Sequence, residues 1–136
     1  MSKIVVGVFT AVALASGSAA AMTGGNVAPD FRGEWVRGNA ACSSPLRLVI
    51  EANAVTFVNG SQRAVYRTLE QCFSCMGRDV SNIVWLTTDA MGDSPFAIYL
   101  DSTKKKAPQI SYIDFTNDKR LGQRFPLGKG PLKKCA

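Results

Sequence analysis

Apolar and polar residues alternate along much of the chain with a period of two. In residues 46–51, Leu46, Leu48 and Ile50 fall on one side, and the residues between them fall on the other. This period is typical of a strand with one buried face. Strands are predicted at Gly33–Val36, Leu46–Glu51, Val55–Val58, Ser61–Leu69, Asn82–Thr88, Phe96–Asp101, Gln109–Phe115 and Lys119–Phe125.

Turn-forming residues separate these strands. Asn59-Gly60 is the strongest hairpin signal, because both central residues of a type I′ turn need a positive φ. No segment shows a sustained helical repeat. The pattern predicts an all-β fold, a small antiparallel barrel or sandwich of about seven to eight strands, stapled by disulfides. The residues expected to face its core are Trp35, Ile50, Phe57, Trp85, Ile98 and Phe115.

The first 21 residues have the three parts of a secretory signal peptide. Lys3 provides the positive charge, residues 4–15 are mostly apolar, and small residues lead to Ala19-Ala20-Ala21. The apolar run is too short to span a bilayer, which needs about 20 residues. We therefore expect cleavage after Ala21 and a periplasmic or secreted protein. Residues 22–32 are expected to be a flexible N-terminal segment, and residues 33–136 a single β domain.

All four cysteines follow the expected cleavage site: Cys42, Cys72, Cys75 and Cys135. An even number in an exported chain indicates disulfides. If successive strands run up and down, Cys42 and Cys72 lie at opposite ends of the domain. The tail after Phe125 is long enough to return to the Cys42 end. We therefore predict the pairs Cys42–Cys135 and Cys72–Cys75.

The absence of histidine limits the possible chemistry. It excludes Ser-His-Asp and Cys-His catalysis and removes the commonest metal ligand. No enzyme activity, metal or cofactor is expected. The alternative is a thiol-disulfide active, or other histidine-free, envelope enzyme that uses Cys72 and Cys75. Against it, a redox C-x-x-C motif normally lies in a βαβ unit, and the pattern predicts none.

Positive charge is concentrated at the C-terminal end. Residues 22–103 carry six arginines and eight acidic residues, whereas residues 104–136 carry nine basic and two acidic residues. This asymmetry indicates an anionic partner, or alternatively a solvated face whose lysines protect sheet edges from aggregation. The candidate anion-binding residues are Lys104, Lys105, Lys106, Lys119, Arg120, Arg124, Lys129, Lys133 and Lys134.

The region from Gly33 to Trp85 resembles small periplasmic β-barrel inhibitors. The resemblance rests on Gly33-x-Trp35, on a cysteine seven residues later and on the short strands that follow. It is shared by inhibitors of c-type lysozymes and of secreted metalloproteases. The Ser-Gly-x-Gly loop of the lysozyme inhibitors has no counterpart here, so the chain is assigned to neither family.

These observations favour a small exported, non-catalytic binding or inhibitor module. The expected partner is an envelope or extracellular protein, or an anionic surface or polymer. A rigid barrel would present its loops to that partner. The protein is expected to be a monomer without a transmembrane segment.

Overall fold

The computed structural model describes residues 22–23, 26–73, 83–88, 92–103 and 108–136. This part of the chain forms ten strands, a 3-10 turn and one short α-helix. In chain order the elements are β1 (Met22–Thr23), the 3-10 turn (Pro29–Phe31), β2 (Gly33–Arg37), β3 (Leu46–Ile50), β4 (Val55–Asn59), β5 (Gln62–Tyr66), β6 (Glu70–Cys72), β7 (Ile83–Thr87), β8 (Ala97–Asp101), β9 (Gln109–Asp114), α1 (Lys119–Arg124) and β10 (Leu132–Lys134).

All ten strands belong to one antiparallel sheet that curls into a half-barrel. Their order is β1-β6-β7-β8-β9-β10-β2-β3-β4-β5. The predicted all-β antiparallel fold is confirmed, with more strands than expected. Among the described residues no pairing joins β5 to β1, so the barrel is not closed by hydrogen bonds. Strands β6 and β10 were not predicted, because each has only three residues.

The inner face of the half-barrel holds the core. Its register places alternate apolar residues side by side, as in Leu48 opposite Phe57. Trp35, Ile50, Phe57 and Ile98 are buried, as predicted. The period-two pattern therefore identified the inner face of β2, β3, β4 and β8.

Phe57 lies at the centre of an aromatic cluster. Its ring centroid lies 5.1 Å from that of Phe96, 5.6 Å from Phe115, 5.9 Å from Phe125 and 6.1 Å from Tyr66. Phe115 is partly buried against the core, on the side at which it was expected. The cluster joins β4, β5, the start of β8 and the segment after β9, and so fixes how the half-barrel curls.

The predicted strand at Lys119–Phe125 is wrong, because this segment contains α1. The Asp118 side chain caps the helix by accepting a hydrogen bond of 2.9 Å from the Leu121 backbone amide. Leu121 and Phe125, four residues apart, are both buried, as one face of a helix requires. This capping residue and spacing were present in the sequence but were not recognised in so short a segment.

Ordered structure was expected to start at Gly33, but it begins earlier in the chain. Val27 and Phe31 are buried in the core, and the Trp35 indole donates a 2.9 Å hydrogen bond to the Phe31 carbonyl. The predicted signal peptide, residues 1–21, lies outside the described residues and stays a prediction. In the described part of the chain, no helix has the length and hydrophobicity needed to cross a bilayer.

Candidate functional site

Cys42 and Cys135 form a disulfide, as predicted. Their Cα atoms lie 5.7 Å apart and 93 positions apart in sequence. The Cys135 backbone amide also donates a 2.8 Å hydrogen bond to the Glu34 carbonyl. The disulfide therefore links the loop after β2 to the chain just beyond β10, and β10 is the neighbour of β2 in the sheet.

Cys72 is also disulfide-bonded. Its predicted partner, Cys75, lies outside the described residues, so this pairing stays a prediction. Cys72 is only 2% exposed, and no cysteine in the described ranges is free.

Trp85 lies on the outer face of the sheet, which corrects its expected place in the core. Its neighbours Val84 and Leu86 belong to the core cluster, so the side chain between them points the other way. Trp85 is opposite Cys72 on β6 and Tyr99 on β8. The sequence alone does not determine the orientation of Trp85, because β7 has apolar residues on both faces. A continuous apolar run does not show which face is buried.

Three aromatic residues form a row across the outer face of β7, β8 and β9. We call Trp85, Tyr99 and Tyr112 the aromatic row. The Trp85 and Tyr99 centroids are 5.0 Å apart, and Tyr99 stacks on Tyr112 at 4.0 Å. Tyr112 is 39% exposed at one end of the row. Phe73, which follows Cys72 on the other side, is 43% exposed.

The Tyr99 hydroxyl has a strongly perturbed pKa. Burial raises the pKa of Tyr99 far above its ordinary value, and its hydrogen bond with Tyr112 and the nearby Asp114 carboxylate add to the shift. Tyr99 therefore stays protonated across the physiological range. It serves as a packed ring and hydrogen-bonding group.

A cavity of about 280 Å³ adjoins the Trp85 and Tyr99 end of the row. The outer-face residues Thr87 and Asp114 and the polar residues Ser94, Thr116 and Asn117 also line it. The Trp85 indole nitrogen and the Thr87 hydroxyl are buried and have no hydrogen-bond partner among the described residues. Buried polar groups are normally paired, so two orphans beside one cavity are unusual.

Six of the nine predicted basic residues are described, and these six lie on two separate segments of the chain. Lys104, Lys105 and Lys106 lie outside the described residues. Three others lie on α1 (Lys119, Arg120 and Arg124), and the remaining three lie in or near β10 (Lys129, Lys133 and Lys134). The Arg124 guanidinium contacts the Gln62 side chain at 3.5 Å, and Lys134 donates to the Asp30 carbonyl at 3.0 Å. The charge is therefore spread over several surfaces.

One basic residue that the sequence did not single out has a distinct place. Arg37, the last residue of β2, lines two cavities together with Lys129, one of about 400 Å³ and one of about 380 Å³. Nothing in the sequence around Arg37 separates it from the other arginines. Its importance depends on the pairing of β2 with β10, which places Arg37 opposite Leu132.

Metal chemistry finds no support among the described residues, which contain no group of three or more potential metal ligands. Comparisons with protein-family models, with curated proteins and with solved structures found no match to this chain. The functional argument therefore rests on the residues themselves.

Proposed function

We propose that the protein is an exported, non-catalytic binding module that recognises a protein partner through the aromatic row. The observation that carries this proposal is the position of Trp85, Tyr99 and Tyr112 on the outer face of the sheet. These rings lie outside the core cluster and pack against one another, with Tyr112 39% exposed at one end, Trp85 partly buried and Tyr99 buried between them. Aromatic residues of this kind dominate the binding energy of protein interfaces.

The surroundings of the row support the same function. Two aromatic side chains among the described residues are exposed: Tyr112, which stacks on Tyr99, and Phe73, which follows the last residue of β6. The cavity next to the row offers polar groups at its edge, including the orphan Thr87 hydroxyl. An apolar centre with a polar rim is the usual anatomy of a recognition surface.

The row also rests on a rigid base. Strands β7, β8 and β9 pair with each other over most of their length, and their inner residues Leu86, Ile98 and Ile113 are buried in the core. A partner would therefore meet rings that are already held in place, which lowers the entropic cost of binding.

Affinity capture from an envelope extract tests the proposal. The mature protein is the bait, and Tyr112→Ala is compared with wild type. The wild-type bait should capture a specific partner. The amount captured should be strongly reduced with the Tyr112→Ala bait, since truncating an interface hot spot costs about 2 kcal/mol or more of binding free energy. The captured protein is then purified and its affinity for both forms is measured by calorimetry.

Val65→Ser is the matched control. Val65 is 48% exposed and lies on the outer face of β5, at the far end of the sheet from the row. It should bind the partner as wild type does. A partner that binds wild type and Tyr112→Ala equally well would overturn the proposal, provided that both melt at similar temperatures.

A further inference from the structure

Arg37 and Lys129 lie together at the end of the half-barrel that α1 closes. Both line the cavity of about 400 Å³ and the neighbouring cavity of about 380 Å³. Arg37 comes from the end of β2, and Lys129 from the loop before β10. Two cations from separate segments thus face the same space, whereas the other described members of the basic set lie elsewhere.

Neither cation is neutralised by a neighbouring carboxylate. In the part of the chain that the structure describes, the one ion pair joins Arg47 to Glu34 at 3.8 Å. Asp114 lines the larger cavity and adds a negative charge there. The cavity of about 380 Å³ is lined by Arg37, Gly38, Asn39, Lys129 and Pro131, none of which is acidic. In this smaller cavity the positive charge of Arg37 and Lys129 is available to a ligand.

The Arg37 guanidinium is held in a fixed position. Its Nη2 donates a 2.6 Å hydrogen bond to the Pro126 carbonyl, while its Nε is buried without a partner. A guanidinium fixed at one corner loses little entropy when its remaining donors bind an anion. An orphan buried N–H is also a donor whose pairing would be favourable.

We propose that the space between Arg37 and Lys129 binds a phosphate group. Arginine presents a planar fork of donors and lysine adds a point charge, the combination that proteins use for phosphate. A phosphate monoester carries about −1.5 to −2 charges near neutral pH, which two unpaired cations match better than the single charge of a carboxylate. The phosphate group could be free in solution or part of a lipid headgroup. This site is separate from the aromatic row, so the proposal does not depend on the proposed function.

Titration with inorganic phosphate, followed by amide and Arg side-chain NMR signals, tests the site. Shifts should be confined to residues around 37–39 and 126–131. At equal ionic strength, acetate should produce weaker binding. Lys129→Gln should weaken phosphate binding about tenfold, because a charge-assisted hydrogen bond contributes roughly 1.5–3 kcal/mol. Arg37→Lys, which keeps the charge but loses the fork, should also weaken it.

Lys133→Gln is the matched control, because it removes the same charge from an exposed position on β10. It should leave phosphate affinity within about twofold of wild type. If Lys133→Gln and Lys129→Gln weakened phosphate binding equally, the effect would come from the overall charge of the protein, and the proposed site would be wrong. The absence of any shift near Arg37 would also overturn the site.

Vesicles containing phosphatidic acid, whose headgroup is a phosphate monoester, distinguish the two sources of phosphate. Sedimentation with these vesicles, lost in Lys129→Gln and kept in Lys133→Gln, would assign the site to a lipid headgroup. Binding of inorganic phosphate without sedimentation would assign it to a soluble phosphate. If neither probe binds the wild-type protein, the proposal fails.

Discussion

Cys42 and Cys135 are joined by a disulfide that closes a loop spanning 93 positions. The bond connects the two strands, β2 and β10, that bridge the two halves of the sheet order. Without it, β10 is held in the sheet by only three residues. Chain entropy of the unfolded state should therefore make this cross-link a major source of stability.

Replacing both Cys42 and Cys135 with serine should lower the free energy of unfolding by about 4 kcal/mol. The double variant avoids a free thiol, and the cysteine pair containing Cys72 stays unchanged as an internal control. Urea unfolding followed by circular dichroism measures the difference. A loss below ~1 kcal/mol would mean that strand pairing alone holds the C-terminal segment.

Gly122→Ala should destabilise the protein, although alanine is normally the better helix former by about 1 kcal/mol. A Cβ at Gly122 would lie 2.9 Å from Phe115 Cβ and 3.1 Å from its Cγ. Relieving that contact must move Phe115 or α1, at a typical cost of about 1–3 kcal/mol. Thermal melting of the single variant measures the effect.

Phe115→Ala provides the control for the ring contacts. It removes Cγ and Cδ2, which would lie 3.1 and 3.2 Å from a Cβ at Gly122, so it should lessen the effect of Gly122→Ala in the double variant. A double-mutant cycle would then give a clear coupling energy. Additive effects of the two substitutions would show that Gly122 is not constrained by the Phe115 ring.

The sequence predicted the parts of the fold whose pattern is local. Strand β3 alternates as predicted, and the hairpin between β4 and β5 lies at the predicted place. Its type I′ assignment with Asn59 and Gly60 at the centre is wrong, because Asn59 pairs with Gln62 and, of these two central residues, only Gly60 has a positive φ. The Cys42–Cys135 pair followed from strand direction alone. Where an element is short, as in α1 and β10, contacts with neighbouring chain segments decide the structure. The Asp118 cap and the spacing of Leu121 and Phe125 form too short a pattern to predict α1 without those contacts.

The candidate sites were harder to predict than the fold. Trp85, Tyr99 and Tyr112 are separated in sequence by a dozen or more residues, and only the register of β7, β8 and β9 makes them a row. Arg37 and Lys129 meet for the same reason, through β2 and β10. Composition revealed an excess of positive charge, but it could not reveal which two cations share a cavity.

Truncating an inner-face ring should cost more stability than truncating an outer-face ring. Phe57→Ala removes a fully buried side chain that contacts four other rings and should cost about 3–5 kcal/mol. Trp85→Ala removes a partly buried ring and should cost less than ~3 kcal/mol. Urea unfolding compares the two. If Trp85→Ala lost more stability than Phe57→Ala, the main role of the aromatic row would be to stabilise the fold.

Stability should fall in alkaline solution partly because of Tyr99. The pKa of Tyr99 is raised in the folded state above the ordinary value of about 10. The associated stability is fully present below pH ~10 and is lost as the pH rises further, since the unfolded chain releases the proton first. Tyr99→Phe should therefore show a shallower decline of melting temperature above pH ~10 than wild type. Parallel curves would contradict the raised pKa.

A separate prediction concerns the basic segment Lys104-Lys105-Lys106, whose binding to an anionic partner should depend on the salt concentration. If these lysines bind an anionic surface or polymer, replacing all three with serine should weaken binding to lipopolysaccharide, acidic liposomes or DNA, with an unchanged melting temperature. The affinity of wild type should fall steeply between ~50 and ~300 mM salt, because the screening length shortens over that range. If the lysines only protect sheet edges, the triple variant should instead lose solubility, with no salt-sensitive ligand.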